Sequence, residues 1–506
     1  MPGLINCLVR EALILFAMSS PHLITDLNDF LKPSQVCIKP VPSKSETLVV
    51  GEVALNGSGN DVYVDPVTIS LNDCLACSGC ITSAETVLIN QQTYQQVYSV
   101  LDTNLDAVRS GLAKPKITVF SLSLQTLTAL AVKLGCSVSE TTAFVFYFLK
   151  QTMGVDYVFD TLLARDISLY ACGIEFCQTR AGSESAYPLI TGACPGWICY
   201  VEKTQQSLIP HLSRVKSPQQ IMGTLVKHFL FASQGVSPAQ IFHVSVMPCY
   251  DKKLEASRPN FFDEPSQSRE VDCVITTGEL CKMMDERLGG IGNLMRLPVP
   301  HTMPILDPQL SLISDSGLEL LSHDGEGAGG YMEFVLRFSA KTIYNIHIDG
   351  DMVCQTDSGC ELLIETQRNA DYRDYILQRK DGGEVLLRFA QVYGFRNVQT
   401  LVRKLRAGRV KYDYVEVMAC PGACLNGGGQ KIESQFGTSL SPHQNLRHMN
   451  DVYKQRIRKV EPLTSLKSET IVREWFGGPS SPLLLTSFKG LEPDPTSVTS
   501  RISVQW

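Results

Sequence analysis

The chain has 506 residues, and its 45 Lys+Arg against 51 Asp+Glu give a formal net charge of -6. Hydrophobic residues make up 44% and charged residues 19%, a globular composition that excludes a disordered, collagenous or fibrous chain. The mild acidity argues against a general nucleic-acid binder, whose basic footprint would dominate the count. The most apolar run, residues 143–149, falls far short of the ~18 uninterrupted residues of a membrane span. Neither nucleic acid nor membrane is expected as a partner. At roughly 100–200 residues per domain, the length implies three or four domains, or two large lobes with appendages.

At the N-terminus, the apolar run 12–18 follows one Arg and one Glu, so the net positive region of a signal peptide is missing. Met18 is read as a second start, and residues 1–20 are set apart as an isoform extension. The stretch 21–110 is irregular and carries a dense cysteine group. From Lys116 the sequence alternates between β-rich runs and helical patterns. Residues 117–120 predict a strand and Leu124–Leu134 a helix, and the strand signal returns at 155–159, 242–246 and 271–275. Alternation of this kind implies parallel βαβ units, assigned here to a lobe over 111–300. Residues 298–317, rich in proline and turn formers, join it to a second lobe over 301–440. There, residues 331–338 predict a helix, and 412–418 a strand ending in a cysteine loop. The tail, 441–506, is expected to be helical and charged over 452–460, then rich in Pro and Ser.

The 17 cysteines are too few for a small disulfide scaffold, at ~8–10% of residues, and an odd count cannot pair completely. Clustered thiols in a non-secreted chain point to metal or redox chemistry first. Cys74, Cys77 and Cys80 form a C-x2-C-x2-C run. Two-residue spacing aims successive sulfurs at one centre, and Ser78 and Gly79 let the backbone curl around it. This is the start of the bacterial ferredoxin run, but its fourth cysteine is replaced by Ala84. The fourth ligand must come from elsewhere, with Cys37 the nearest upstream candidate and Cys7 a weaker one. A zinc knuckle is the competing reading, but zinc sites more often pair two C-x-x-C units across a larger gap.

Four more cysteines sit in loops after strand-like runs or in sharp turns: Cys194 in Ala-Cys-Pro-Gly, Cys249 in Met-Pro-Cys-Tyr-Asp-Lys, and Cys420 and Cys424 in Cys-Pro-Gly-Ala-Cys. Prolines stiffen these loops, and glycines let bare amides approach sulfur. The ends of strands in α/β proteins are where clefts form. Singly, each would be read as a buried small hydrophobe. The other eight cysteines, among them Cys172, Cys177, Cys199 and Cys273, match no signature and are read that way.

The three loops resemble, in order, the cluster-binding signatures of iron-only hydrogenases. With Cys37 upstream and a sparse N-terminal ferredoxin part, the chain is most similar to their eukaryotic non-hydrogenase relatives in cytosolic iron–sulfur protein assembly. The resemblance implies an α/β fold of two lobes with parallel sheets around a buried cluster, a small N-terminal Fe–S segment and a helical C-terminal tail. It implies two 4Fe–4S clusters, one on Cys37, Cys74, Cys77 and Cys80, the other on Cys194, Cys249, Cys420 and Cys424. The glycine-rich segment 325–330, which looks like a phosphate cradle, should pack against the lobe of the second cluster.

In the enzymes, a cysteine before the first signature's ligand passes protons to an organometallic iron pair. That position is Ala193 here, and alanine exchanges no proton. Lys252, at a position that binds a cyanide of that pair, is retained, as is Gln430. The resemblance therefore implies a non-enzymatic protein, cytoplasmic with the nucleus left open, linking an early assembly scaffold to the WD40-containing targeting complex that delivers clusters to apoproteins. The terminal Trp506 resembles a docking tag for that complex. A redox enzyme of the hydrogenase type and a prelamin-binding nuclear protein are the alternatives.

Overall fold

A computed structural model describes residues 83–490 apart from 113–114, 183–187, 324, 326, 328, 356–358, 431–441, 456–457 and 460–465. The chain enters through helices α1 (Ser83–Gln91) and α2 (Tyr94–Arg109). It then runs β1 (Ile117–Leu122), α3 (Leu124–Leu134), α4 (Val138–Tyr147), β2 (Tyr157–Asp160) and the 20-residue α5 (Leu162–Ala181). Next come β3 (Leu189–Ile190), α6 (Pro195–Thr204), α7 (Pro218–Thr224), β4 (Ile241–Met247) and α8 (Asp251–Ala256). A small hairpin of β5 (Phe262–Asp263) and β6 (Ser268–Arg269) precedes β7 (Cys273–Thr276) and α9 (Thr277–Leu288).

These strands make a four-stranded sheet in the order β2-β1-β4-β7, parallel throughout. Parallel strands are covered on both faces and so read as near-continuous apolar runs, as in β1 and β4, where the sequence signal is plain. Along β1 the side chains alternate between two cores: Val119 packs with Phe159, Leu163 and Ile167, whereas Phe120 and Leu122 pack with Leu127, Leu130 and Val145. Local chemistry sets the ends of the helices. Ser123 caps α3 by accepting from Thr126 N–H, and Gly135 ends it in the left-handed region at φ 70. Ser137–Glu140 and Thr276–Glu279 are capping boxes for α4 and α9.

The second half contributes β8 (Leu321–Ser322), α10 (Tyr331–Tyr344), β9 (Cys360–Thr366), β10 (Tyr372–Arg379), β11 (Val385–Tyr393), α11 (Phe395–Arg406) and β12 (Tyr414–Met418). Its sheet runs β3-β12-β11-β10-β9. Only β3, β12 and β11 are mutually parallel; β10 and β9 are added as an antiparallel meander. The expectation of parallel sheets in both lobes is corrected to that extent. Strand β3, between β2 and β4 in sequence, crosses over to join this second sheet. Helix α5 lies between the sheets with most of its faces buried. It packs on α10 so closely that a side chain at Gly173 would meet the Phe338 ring at 2.8 Å.

In the tail, α12 spans Pro442–Gln455, and Arg458–Lys459 form β13, paired in parallel with β8. The expected helix over 452–460 therefore starts and ends earlier, because the charged stretch after Gln455 is drawn into a sheet pairing. A short α13 (Leu466–Thr470) follows.

Candidate metal centre

All four loop cysteines lie just beyond the C-terminal ends of parallel strands. Cys194 follows β3 and caps α6 at its N-terminus, with Pro195 in the first turn where its missing N–H costs nothing. Cys249 stands two residues past β4, after Pro248, and α8 starts at Asp251. Cys420 stands two residues past β12. Cys424 lies in a 3-10 turn reached through two left-handed residues, Gly422 (φ 67) and Ala423 (φ 62). A non-glycine residue at positive φ is held there by its surroundings, and here it turns Cys424 back toward Met418, with the two sulfurs 3.9 Å apart.

Cys194 is buried, and Cys249, Cys420 and Cys424 are half-buried. Burial pushes the Cys249 thiol well above its ordinary value, with Asp251, Cys420 and Cys424 adding to the rise and Lys252 opposing it. Burial raises Cys420 likewise, reinforced by Cys194 and Cys424. Cys424 is pushed up to about 12 by burial and then by Cys194, against Lys252. Cys194 is raised by burial and partly relieved by backbone donors, among them Ala419 N–H at 3.4 Å from its sulfur. Cys249 thus feels Cys420 and Cys424, and Cys420 and Cys424 both feel Cys194.

Such thiols become thiolates only beside compensating positive charge. Lys252 is one source: its Nζ pairs with Glu255 at 2.7 Å and donates to the Ala193 carbonyl at 3.2 Å. Burial alone would lower its pKa, but Glu255 and the thiols of Cys249 and Cys424 outweigh that and raise it. Among the described residues no group of three or more His, Cys, Asp or Glu side chains is arranged to hold a single metal ion. Four thiols from three strand ends, in mutual electrostatic reach and without carboxylate or imidazole in the set, are the donor chemistry of an iron–sulfur cluster. The backbone is trimmed to suit: a Cβ on Gly196 would meet Asp251 Oδ2 at 2.8 Å, and one on Gly427 would collide with the Pro248 carbonyl.

Beside Cys424 lies a cavity of about 70 Å³, lined among others by Ser123, Arg165, Ala193, Gln219 and Lys252. Gln430 is tied to Gln125, one of the lining residues, its amide donating to the Gln125 carbonyl at 2.9 Å and its oxygen accepting from Thr277 at 2.5 Å. The glycine-rich segment does pack here: a side chain at Gly327 would strike Leu425, the neighbour of Cys424. The signal missed in the sequence is Arg165, which donates to the Gly329 carbonyl and to Tyr453 and so ties α5 to α10 and the tail. Nothing in its local sequence marks it. Asp251, two residues past Cys249 and pushed up to about 6 chiefly by burial, could have been suspected from its place in the motif.

Cys37, Cys74, Cys77, Cys80 and Trp506 lie outside the described residues. Helix α1 begins just after the C-x2-C-x2-C run and seats Ile89 against Leu254 of α8, with Cys199 and Tyr250 around them. Lys203 of α6 pairs with Glu85 at 2.5 Å. Cys199 is itself half-buried, and burial pushes its thiol up to about 12.

The profile of the family described as "Iron only hydrogenase large subunit, C-terminal domain" matches residues 116–428. An FeFe-hydrogenase variant from Chlamydomonas reinhardtii superposes with a TM-score of 0.63 at 25% identity, over 78% of this chain and 98% of that one. The chain belongs to the iron-only hydrogenase-like family, in the branch of the cytosolic iron–sulfur assembly factors. It is 40% identical to "Cytosolic iron-sulfur assembly component 3" of Mus musculus over 96% of this chain and 98% of that protein. The Bos taurus protein of the same name is 41% identical over the same shares. "Cytosolic Fe-S cluster assembly factor narfl" of Xenopus tropicalis is 37% identical, again over 96% and 98%.

Proposed function

We propose that this chain is a component of cytosolic iron–sulfur protein assembly that binds two 4Fe–4S clusters and performs no hydrogenase chemistry. The observation that carries the reading is that Cys194, Cys249, Cys420 and Cys424 all follow the ends of β3, β4 and β12, with the Ala419 N–H beside Cys420 donating to the Cys194 sulfur at 3.4 Å and the Cys249 thiol raised by Cys420 and Cys424. The names of relatives matching nearly the whole chain support the pathway and its cytosolic location. A 4Fe–4S cluster held there would supply one-electron redox chemistry. The chain's own residues supply the thiols, a backbone N–H from Ala419 to Cys194, and the Lys252 ammonium that offsets thiolate charge.

Ala193 supports the non-enzymatic reading. It lines the cavity together with Lys252 and Cys424, at the position where the resemblance implies a proton-passing cysteine. A methyl group there can neither accept nor release a proton.

The N-terminal cluster is assigned to Cys37, Cys74, Cys77 and Cys80. Helix α1, which follows the C-x2-C-x2-C run in sequence, packs on α8, which follows Cys249. Trp506 is assigned to docking on the targeting complex, with an early scaffold as the other partner. Deleting Trp506 should abolish co-purification with that complex while leaving bound iron unchanged.

The deciding experiment is anaerobic purification with iron and sulfide quantification and EPR on wild type, Cys77→Ala and Cys249→Ala. About eight irons per chain, falling to about half in each variant, is the expected result. Zinc in place of iron, or metal loss in only one variant, would overturn the two-cluster assignment. Hydrogen evolution from a strong reductant would overturn the non-enzymatic one.

A further inference from the structure

We propose that a groove at the opposite end of the second sheet from the cysteines docks an acidic segment of a partner protein, one that carries an apolar anchor. Between residues 396 and 411 the chain has six basic residues and no acidic one, in a protein whose net charge is -6. Helix α11 buries Asn397, Val398, Leu401 and Val402. Its exposed face and the loop after it carry Arg396, Arg403, Arg406, Arg409 and Lys411. The helix dipole accounts for basic residues in the last turn, Arg403, Lys404 and Arg406. It does not account for Arg409 and Lys411, which lie beyond the helix.

Their charges are not spent inside the protein. Arg396, Arg406, Arg409 and Lys411 make no ion pair among the described residues, whereas Lys404 lies over the Tyr372 ring at 4.8 Å. The acidic residue at the groove, Asp413, is already engaged: Arg180 pairs with one carboxylate oxygen, and the other accepts the Arg388 N–H at 2.7 Å. Self-repelling cations with no internal partner cost stability and point outward to an anion.

The groove itself has a volume of about 490 Å³, with Leu208, Leu405, Val410 and Tyr412 lining its apolar part and Arg406 and Lys411 its charged part. Apolar floor plus guanidinium rim is the chemistry that receives a peptide with a hydrophobic anchor between carboxylates. A single-stranded nucleic acid fits less well, because it needs exposed aromatic faces for stacking. Of the two rings here, Tyr412 is 2% exposed and held by a 2.9 Å hydrogen bond to Asp374, and the half-buried His211 imidazole is tied to the Pro188 carbonyl at 3.2 Å.

The position gives the groove a purpose. Tyr412 and Asp413 immediately precede β12, and Cys420 follows it, so a five-residue strand, roughly 17 Å of extended chain, separates the groove from the thiols. A partner held at one end of the strands leaves the cysteine end uncovered.

The test is fluorescence anisotropy with a fluorescein-labelled peptide in which Leu-Trp is flanked on each side by three Asp or Glu residues. We expect saturable binding that weakens with added salt. The double substitution Arg406→Glu with Lys411→Glu, and more mildly the Ala pair, should weaken it by about tenfold or more. Arg379→Glu, an exposed site away from the groove, should not. Replacing Leu-Trp by Gly-Gly in the peptide should also cost about tenfold. An unchanged unfolding midpoint and iron content confirm that the variants are folded. No binding by wild type, equal binding by the double variant, or displacement of the peptide by an equimolar oligothymidylate would overturn the proposal.

Discussion

Gln92 and Lys253 hold each other across 161 positions of sequence: the Gln92 amide donates to the Lys253 carbonyl at 2.8 Å, and Lys253 Nζ donates to the Gln92 carbonyl at 2.6 Å. The same amide reaches Ser257 at 2.8 Å, and its oxygen accepts the Val274 N–H of β7 at 3.0 Å. One side chain thus joins the segment after the first cysteine run to the helix after Cys249 and to the edge of the first sheet. Gln92→Ala removes it and leaves the Val274 N–H buried without a partner. The expected cost is about 1–3 kcal/mol, read as a lower urea midpoint with unchanged slope.

The two classes of cysteine should separate cleanly. Cys273 is fully buried in the first core, pushed far up by that burial, and donates weakly to the Thr93 carbonyl at 3.7 Å. Cys273→Ala deletes one buried sulfur and should cost on the order of 1 kcal/mol. Iron content should not change. Cys424→Ala, by contrast, should cut iron to about half of the wild-type value.

Gly427 offers a test that touches no ligand. Its Cα lies so close to the Pro248 carbonyl that any side chain must displace the third cysteine loop from the second. Gly427→Ala should therefore lower the iron retained at the centre, with a broadened or weakened EPR signal. The far-UV circular dichroism spectrum should stay as in wild type. Iron retention equal to wild type would mean the loops are not held in register by this contact.

Acid should loosen the first sheet through His243. The ring lies between β1 and β7, bonded to Ser121 at 2.7 Å and to the Glu270 carbonyl at 3.0 Å. Burial, the largest cause, lowers its pKa from 6.5 to about 3. The unfolded chain therefore binds a proton between pH 6.5 and 3 that the folded chain refuses. Stability is unaffected above that window and falls as the pH drops through it, by an amount on the order of 4 kcal/mol at the bottom. His243→Gln should flatten this part of the curve of unfolding midpoint against pH. Since β4 carries Cys249 at its end, iron loss from wild type should follow the same acid limb.

Much of this molecule was legible before any coordinates. Strands β1, β4 and β12 announce themselves because both their faces are buried and their sequences are mostly apolar and β-branched or aromatic, broken only by buried polar residues such as Ser121, His243 and Glu416. Helix α3 is bounded at the predicted residues because Ser123 and Gly135 are local signals. The antiparallel meander of β10 and β9 was not legible as such, because its outer strand is half exposed and carries Glu361 and Glu365 among its apolar residues. The two-residue β3 has no signal of its own; it exists because β12 offers it an edge. The tail departed from expectation for the same reason, Arg458 and Lys459 pairing with β8.

The sequence by itself determined the chemistry available: which loops carry thiols, which of them are stiffened by proline, and that Ala193 stands where a proton carrier would be needed. These are properties of residue type and short spacing, settled within a turn of chain. Only the tertiary structure decided how the strands that carry these loops are arranged. Cys194, Cys249 and Cys420 each follow the C-terminal end of a parallel strand, and β3 lies beside β12 only through pairings between residues far apart in sequence. The basic groove came from the same pairings. Six charges spaced along a helix and a loop become one surface only when β12 and β3 lie side by side beneath them.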